Sequence, residues 1–110
     1  MSKGYKIRAI IKRPDERYGH VTNISDTLKN LQGIVGGNIE ALRITEDAVI
    51  ICNEEGKLRG LKPCLYVGSF PYGQLLVGDV IVLGVDGEEF TDCPISFKAW
   101  KWLLNKWGNE

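Results

Sequence analysis

Two short segments place glycine beside side chains that hydrogen-bond or carry charge: Val35-Gly36-Gly37-Asn38-Ile39-Glu40 and Asn53-Glu54-Glu55-Gly56-Lys57-Leu58-Arg59-Gly60-Leu61. Glycine lets a backbone approach a ligand or a partner closely. Three chemistries are open to these residue types. Glu40, Glu54 and Glu55 can hold a divalent cation or work as an acid–base pair. Against that, oxygen-only metal sites usually need more acids at closer spacing, and turn glutamates in water are commonplace, so no metal and no cofactor is expected. Lys57 and Arg59 follow the second bend and suit an anion, with Arg8, Lys12, Arg13 and Arg17 as further cations. Tyr18, Phe70 and Tyr72 fall in expected loops, where a ring can stack on a base. Asn38 and Asn53 can read base edges by donating and accepting together. The competing reading makes the loop aromatics a small satellite core.

Nucleophilic catalysis is poorly supplied. The chain has one histidine, His20, in an expected loop, and a surface histidine is the simpler reading. No G-x-S-x-G, Walker A or G-x-G-x-x-G spacing occurs. Gly33, Gly36 and Gly37 follow a helix instead of preceding one, so their N–H groups are not aimed at a phosphate by a helix N-terminus. The expectation is a protein that is not an enzyme.

The elements that must position these residues can be read from pattern. Tyr5–Ile11 alternates and predicts a strand, and Lys12–Thr22, broken by Pro14 and Gly19, predicts a loop. Asn23 is a candidate cap for a helix whose stripe is Ile24, Leu28, Leu31 and Val35, stopped by Gly36 and Gly37. Ile39–Ile44 and Ala48–Cys52 predict a hairpin, and Asn53–Lys57 a second turn. Leu65–Val67 reads as a short strand. Leu75–Leu83 reads as one strand bent or bulged at Gly78-Asp79. Asp86-Gly87 signals a hairpin with Glu88–Thr91 returning. Ser96 caps a last helix with Phe97, Trp100, Leu103, Leu104 and Trp107 inward and Gly108 as its stop. Trp102 falls off that stripe by roughly 160°. Trp102 and Trp107 are the expected interface residues for self-association or partner docking. The order predicts an α+β fold: one domain over residues 1–110, with an antiparallel or mixed sheet and two amphipathic helices on one face.

Composition narrows the function classes. The chain has 110 residues, 44% apolar and 25% charged, near the globular average. Fourteen basic and 14 acidic residues give a formal net charge of zero, which argues against generic nucleic-acid binding. The charge is uneven. Lys3, Lys6, Arg8, Lys12, Arg13 and Arg17 crowd the start, while Asp79, Asp86, Glu88, Glu89 and Asp92 form a stretch without a base. Such blocks can steer an anion or pair two copies, or they are simply solvated faces. The three cysteines, Cys52, Cys64 and Cys93, form no CxxC pair. Free thiols in a reducing compartment fit better than disulfides or zinc. No apolar signal segment follows Lys3, and Leu75–Val85 is too short to span a bilayer. A cytoplasmic protein without membrane contact is expected.

Several of these segments together resemble a family. Leu31-Gln32 leads into Val35-Gly36-Gly37-x-Ile39-Glu40. Cys52-Asn53-Glu54-Glu55-Gly56-Lys57-Leu58 follows, with Gly60-Leu61, Val77-Gly78, Val82-x-Gly84 and Glu89-Phe90-Thr91. This is similar to an uncharacterised small-domain family of phages, plasmids and conjugative elements of Gram-positive gut bacteria. The resemblance covers Ile7 to Thr91, and the terminal tryptophan-rich helix is less typical of it. It implies a mobile-element accessory protein acting in the host cytoplasm, with no catalytic residues to carry over. Two roles against host defence follow from that implication. One is a sponge for a nucleotide-like anionic signal, bound by Gly36, Gly37, Asn38, Glu40, Asn53, Glu55, Lys57 and Arg59, with a second copy completing the site in a homo-oligomer. The other is an inhibitor that docks on a host defence nuclease or effector. The sponge requires the two glycine-bearing bends to meet at one rim, whereas the inhibitor docks through its surface and terminal helix.

Overall fold

A computed structural model of the chain describes residues 4–68 and 72–109. Its elements run β1 (Lys6–Lys12), β2 (His20–Ser25), α1 (Leu28–Val35), β3 (Ile39–Thr45), β4 (Ala48–Asn53), β5 (Pro63–Val67), β6 (Gln74–Val77), β7 (Val80–Asp86), β8 (Glu89–Thr91) and α2 (Phe97–Lys106). The main sheet is antiparallel in the order β2-β1-β7-β4-β3, and β8 pairs with the far end of β7. β5 and β6 form a separate two-stranded sheet. The α+β class and the antiparallel sheet are as the sequence predicts.

The helices differ from expectation: they lie on opposite faces. Alternation along the central strands shows why. Val49, Ile51, Ile81 and Leu83 join Leu31 and Val35 of α1 in one buried cluster. Their neighbours Ile50, Cys52, Val80 and Val82 join Trp100 and Leu104 of α2, with the β5–β6 hairpin, in another. Strands covered on both faces read as unbroken apolar runs, as Ala48–Cys52 and Val80–Leu83 do. One helix stripe cannot cover both faces of a sheet.

Three boundaries also move. β2 occupies part of the expected loop, held to β1 from Lys6↔Ser25 to Ile11↔His20. Asn23 is therefore a strand residue, and Thr27 caps α1, its Oγ1 accepting from the Asn30 N–H at 3.2 Å. The expected single strand over Leu75–Leu83 is two strands in different sheets. Gly78, at φ 76°, makes the break, a conformation that disfavours any other residue.

Polar side chains tie the layers together. Lys12 is 3% exposed and donates from Nζ to the Cys64 carbonyl at 2.8 Å, fastening the hairpin to β1. Arg8 donates to the Cys93 and Ile95 carbonyls at 2.8 and 3.0 Å, anchoring the approach to α2. Asn109 bonds both the N–H and the carbonyl of Tyr66 at 2.7 Å. The Trp100 indole donates to the Tyr18 carbonyl at 2.8 Å. Among the described residues no helix is long and apolar enough to cross a membrane.

Candidate functional site

The two glycine-bearing bends do converge, and hydrogen bonds explain how. α1 ends when Gly36 turns left-handed at φ 82°, so that the N–H groups of Gly36 and Gly37 both reach the Gln32 carbonyl, at 2.8 and 3.0 Å. The carbonyls of Val35 and Gly36 are left without helical partners. Asn53 donates from Nδ2 to Val35 at 3.1 Å, and Arg59 donates from Nη1 to Gly36 at 2.9 Å. The Glu54 N–H meets the Asn38 carbonyl at 2.8 Å, and the β3–β4 ladder continues from there through Ile39↔Asn53 and Glu40↔Cys52. Gly37 packs on the Asn53 amide so tightly that a Cβ would sit 2.9 Å from Nδ2.

The same bonds redistribute the eight candidate ligand residues. Asn53 borders the hollow at this rim but is engaged at both ends of its amide, because its Oδ1 also accepts from the Glu55 N–H at 2.8 Å. Gly36, Gly37 and Arg59 close the helix terminus. Asn38 accepts from Gln32 Nε2 at 3.3 Å. Glu40, Glu55 and Lys57 do line a common hollow, together with Cys52, Leu58 and β6. That hollow holds about 110 Å³, below the roughly 300 Å³ at which small-molecule sites usually begin. Burial, reinforced by the charge and hydrogen bonding of Glu40, pushes the Cys52 thiol up to about 11. It donates to Glu40 Oε1 at 3.9 Å. Among the described residues no three His, Cys, Asp or Glu side chains are placed to share a metal ion.

The other reactive groups are spoken for elsewhere. His20 pairs with Glu16 at 2.9 Å. Burial would raise the Glu16 carboxyl, but bonds and charge from His20 and Arg13 outweigh it and hold the group below its ordinary value. Burial pushes Cys64 up to about 11, outweighing the neighbouring Lys12, and raises Cys93 as well. Tyr18 lies under both Arg17 and Lys101, and Phe70 lies outside the described residues. Trp102 faces outward as expected, 60% exposed, with Lys106 Nζ 4.8 Å from its ring centre. Trp107 is half-buried and meets Trp100 edge-on at 6.1 Å, so it belongs to the core as much as to the surface.

One feature escapes sequence reasoning. β3 is an edge strand of the main sheet, with the β5–β6 hairpin standing over its flank. Between them lie two hollows that share Gln74 as a wall and together form a trough. Its Glu40 end is the 110 Å³ hollow, and its Ile44 end is a second hollow of about 300 Å³ bordered by Leu42, Tyr72 and Trp107. Three large exposed hydrophobic residues stand along it: Leu58 at 89%, Tyr72 at 94% and Leu75. The sequence holds one clue. Ile39–Thr45 contains neither proline nor lysine, and of the devices that guard an edge it carries only the charges of Glu40 and Arg43 and the bulge before Thr45.

A family model described as a domain of unknown function, DUF3846, matches residues 7–102. The match extends past Thr91 into α2, further than the motifs of the sequence suggest. No curated protein and no solved structure matches the chain. The chain belongs to the DUF3846 family.

Proposed function

We propose that this member of the DUF3846 family is a non-catalytic accessory protein of a phage or other mobile element of Gram-positive gut bacteria. In this reading it works in the host cytoplasm, countering defence by docking on a host nuclease or effector protein. The observation that carries the reading is the grouping of Leu58, Leu75 and Tyr72, all exposed, along one trough. Apolar side chains gathered at a groove mark an interaction surface, whereas scattered ones do not. The mobile-element setting rests on the resemblance of the two glycine segments. A non-catalytic role is supported by the thiols of Cys52 and Cys64, which burial holds protonated near neutral pH.

A second reading is sequestration of a nucleotide-like anion. It draws support from the convergence of the bends, which brings Lys57 to the hollow beside Glu40 and Glu55. The hollow's size requires a second copy to enclose such a ligand. The two readings separate in one pair of measurements. Tagged protein expressed in a bacterial host is purified, and its melting temperature is recorded with a panel of cyclic and linear nucleotides. A docking protein retains a defence protein and ignores every nucleotide. A sponge melts higher with one nucleotide and releases it intact on heating. Return of an altered compound would establish an enzyme instead.

A further inference from the structure

We infer that the open edge of β3 is a strand-addition site. An extended segment of a partner protein lies along Ile39–Arg43, completes the main-chain ladder and sets alternate side chains into the trough. The inference rests on the docking reading and gives its mode.

The argument starts from the register. In an antiparallel pair, residues alternate between those that exchange hydrogen bonds with the partner strand and those whose N–H and carbonyl point away. Asn38 bonds Glu54, and the same register carries Glu40↔Cys52 and Leu42↔Ile50 as the bonded pairs. Ile39, Ala41 and Arg43 therefore turn their backbone groups outward. None of those groups has a backbone hydrogen bond within the described residues. The run ends at the bulge between Arg43 and Thr45. The opposite edge, β2, is closed at one end, because Asn30 of α1 donates to the Ser25 carbonyl at 2.8 Å. Outward backbone groups spaced two residues apart match one kind of occupant, another strand.

The trough supplies selectivity. Glu40, Leu42 and Ile44 face the hairpin side. An added strand presents side chains to that side every second residue, about 7 Å apart. Two consecutive ones would meet the two hollows: a small side chain by Glu40 and Leu75, and a large one by Tyr72 and Trp107. A second copy of this chain is a poor occupant. Two-fold pairing centred on Leu42 sets Glu40 against Ile44, and pairing centred on Ala41 sets Glu40 against Leu42. Pairing centred on Arg43 brings two guanidiniums together. Each of these registers sets at least one charged side chain against an apolar or like-charged neighbour. A foreign strand carries no such constraint.

The test selects random dodecapeptides displayed on phage against the full chain. The enriched peptides are synthesised and their binding is read by fluorescence anisotropy. They should share a small and a large apolar residue two positions apart. Ala41→Pro removes the outward N–H in mid-edge, where an edge strand tolerates proline, and should weaken binding at least about tenfold. N-methylating alternate peptide amides should abolish binding in one phase and spare it in the other. That result needs no change in the protein, so it decides the matter even if Ala41→Pro fails to fold. Peptides indifferent to both changes, or no enrichment at all, would overturn strand addition. A co-purified host protein that still binds Ala41→Pro would also sink this inference while leaving the docking reading intact. Nucleotide stabilisation with no docked protein would instead remove the reading on which it stands.

Discussion

Asn53 shows how one side chain joins two turns. Its amide donates to the end of α1 and accepts from the chain two residues on, in a place 6% exposed to solvent. We expect Asn53→Ala to cost about 1–3 kcal/mol, since a buried carbonyl and an N–H lose their partner. Arg59→Ala should cost less than about 1 kcal/mol, because water can replace an exposed donor. Urea denaturation of both variants checks this, and equal losses would mean that Asn53 is not the stitch. The thiols yield a second expectation. Burial raises the Cys52 and Cys64 thiols from an ordinary value of 9.0 to about 11 on folding. The native state holds those protons longer, so this contribution is complete below pH 9 and falls as pH rises towards 11. Denaturation midpoints at pH 8, 9 and 10 should decline, and Cys52→Ala should flatten part of the slope. Alkylation by iodoacetamide at neutral pH should be slow in the native protein.

At the scale of elements, the break between β6 and β7 carries the most weight. Gly78 lets the chain leave the hairpin and enter the centre of the main sheet within two residues. A Cβ there would stand 2.8 Å from Leu61 Cδ1 as well as forcing the left-handed backbone. Gly78→Ala should therefore destabilise by more than about 1 kcal/mol, measured by thermal melting. A neutral result would show that the bend relaxes freely. α2 is set by one face alone. Trp100 is fully buried, whereas Trp102 is exposed with its ring against Lys106 of the same helix. That division leaves Trp102 free for an interface, though the trough lies along β3 and not along the exposed side of α2.

For the molecule as a whole, the two apolar clusters are the two sides of one sheet. Ile50 belongs to one and Ile51 to the other, so neither can melt without disturbing the strand they share. The Cα radius of gyration is 12.9 Å, the compactness of a folded domain of this length. We expect one cooperative transition, with tryptophan fluorescence (reporting the α2 face) and far-ultraviolet circular dichroism (reporting the whole backbone) giving the same midpoint. Separated midpoints would mean that the hairpin and α2 unfold as a unit of their own.

Local chemistry made much of this legible. The β3–β4 and β7–β8 hairpins, the Ser96 cap and the Gly36 stop all follow from residues within one turn of one another, where backbone preference and short-range bonding decide. The α+β class follows from their order. What required the folded chain was long-range. β2 and the capping of α1 at Thr27 depend on pairing with β1, and the split at Gly78 depends on which sheet each half can join. The roles of Asn53 and Arg59 changed for the same reason. Their donors look free for a ligand in sequence, but two helix carbonyls lie within reach once the bends meet. The open edge of β3 is a property of strand order, which no local pattern encodes, because an edge exists only where the sheet stops.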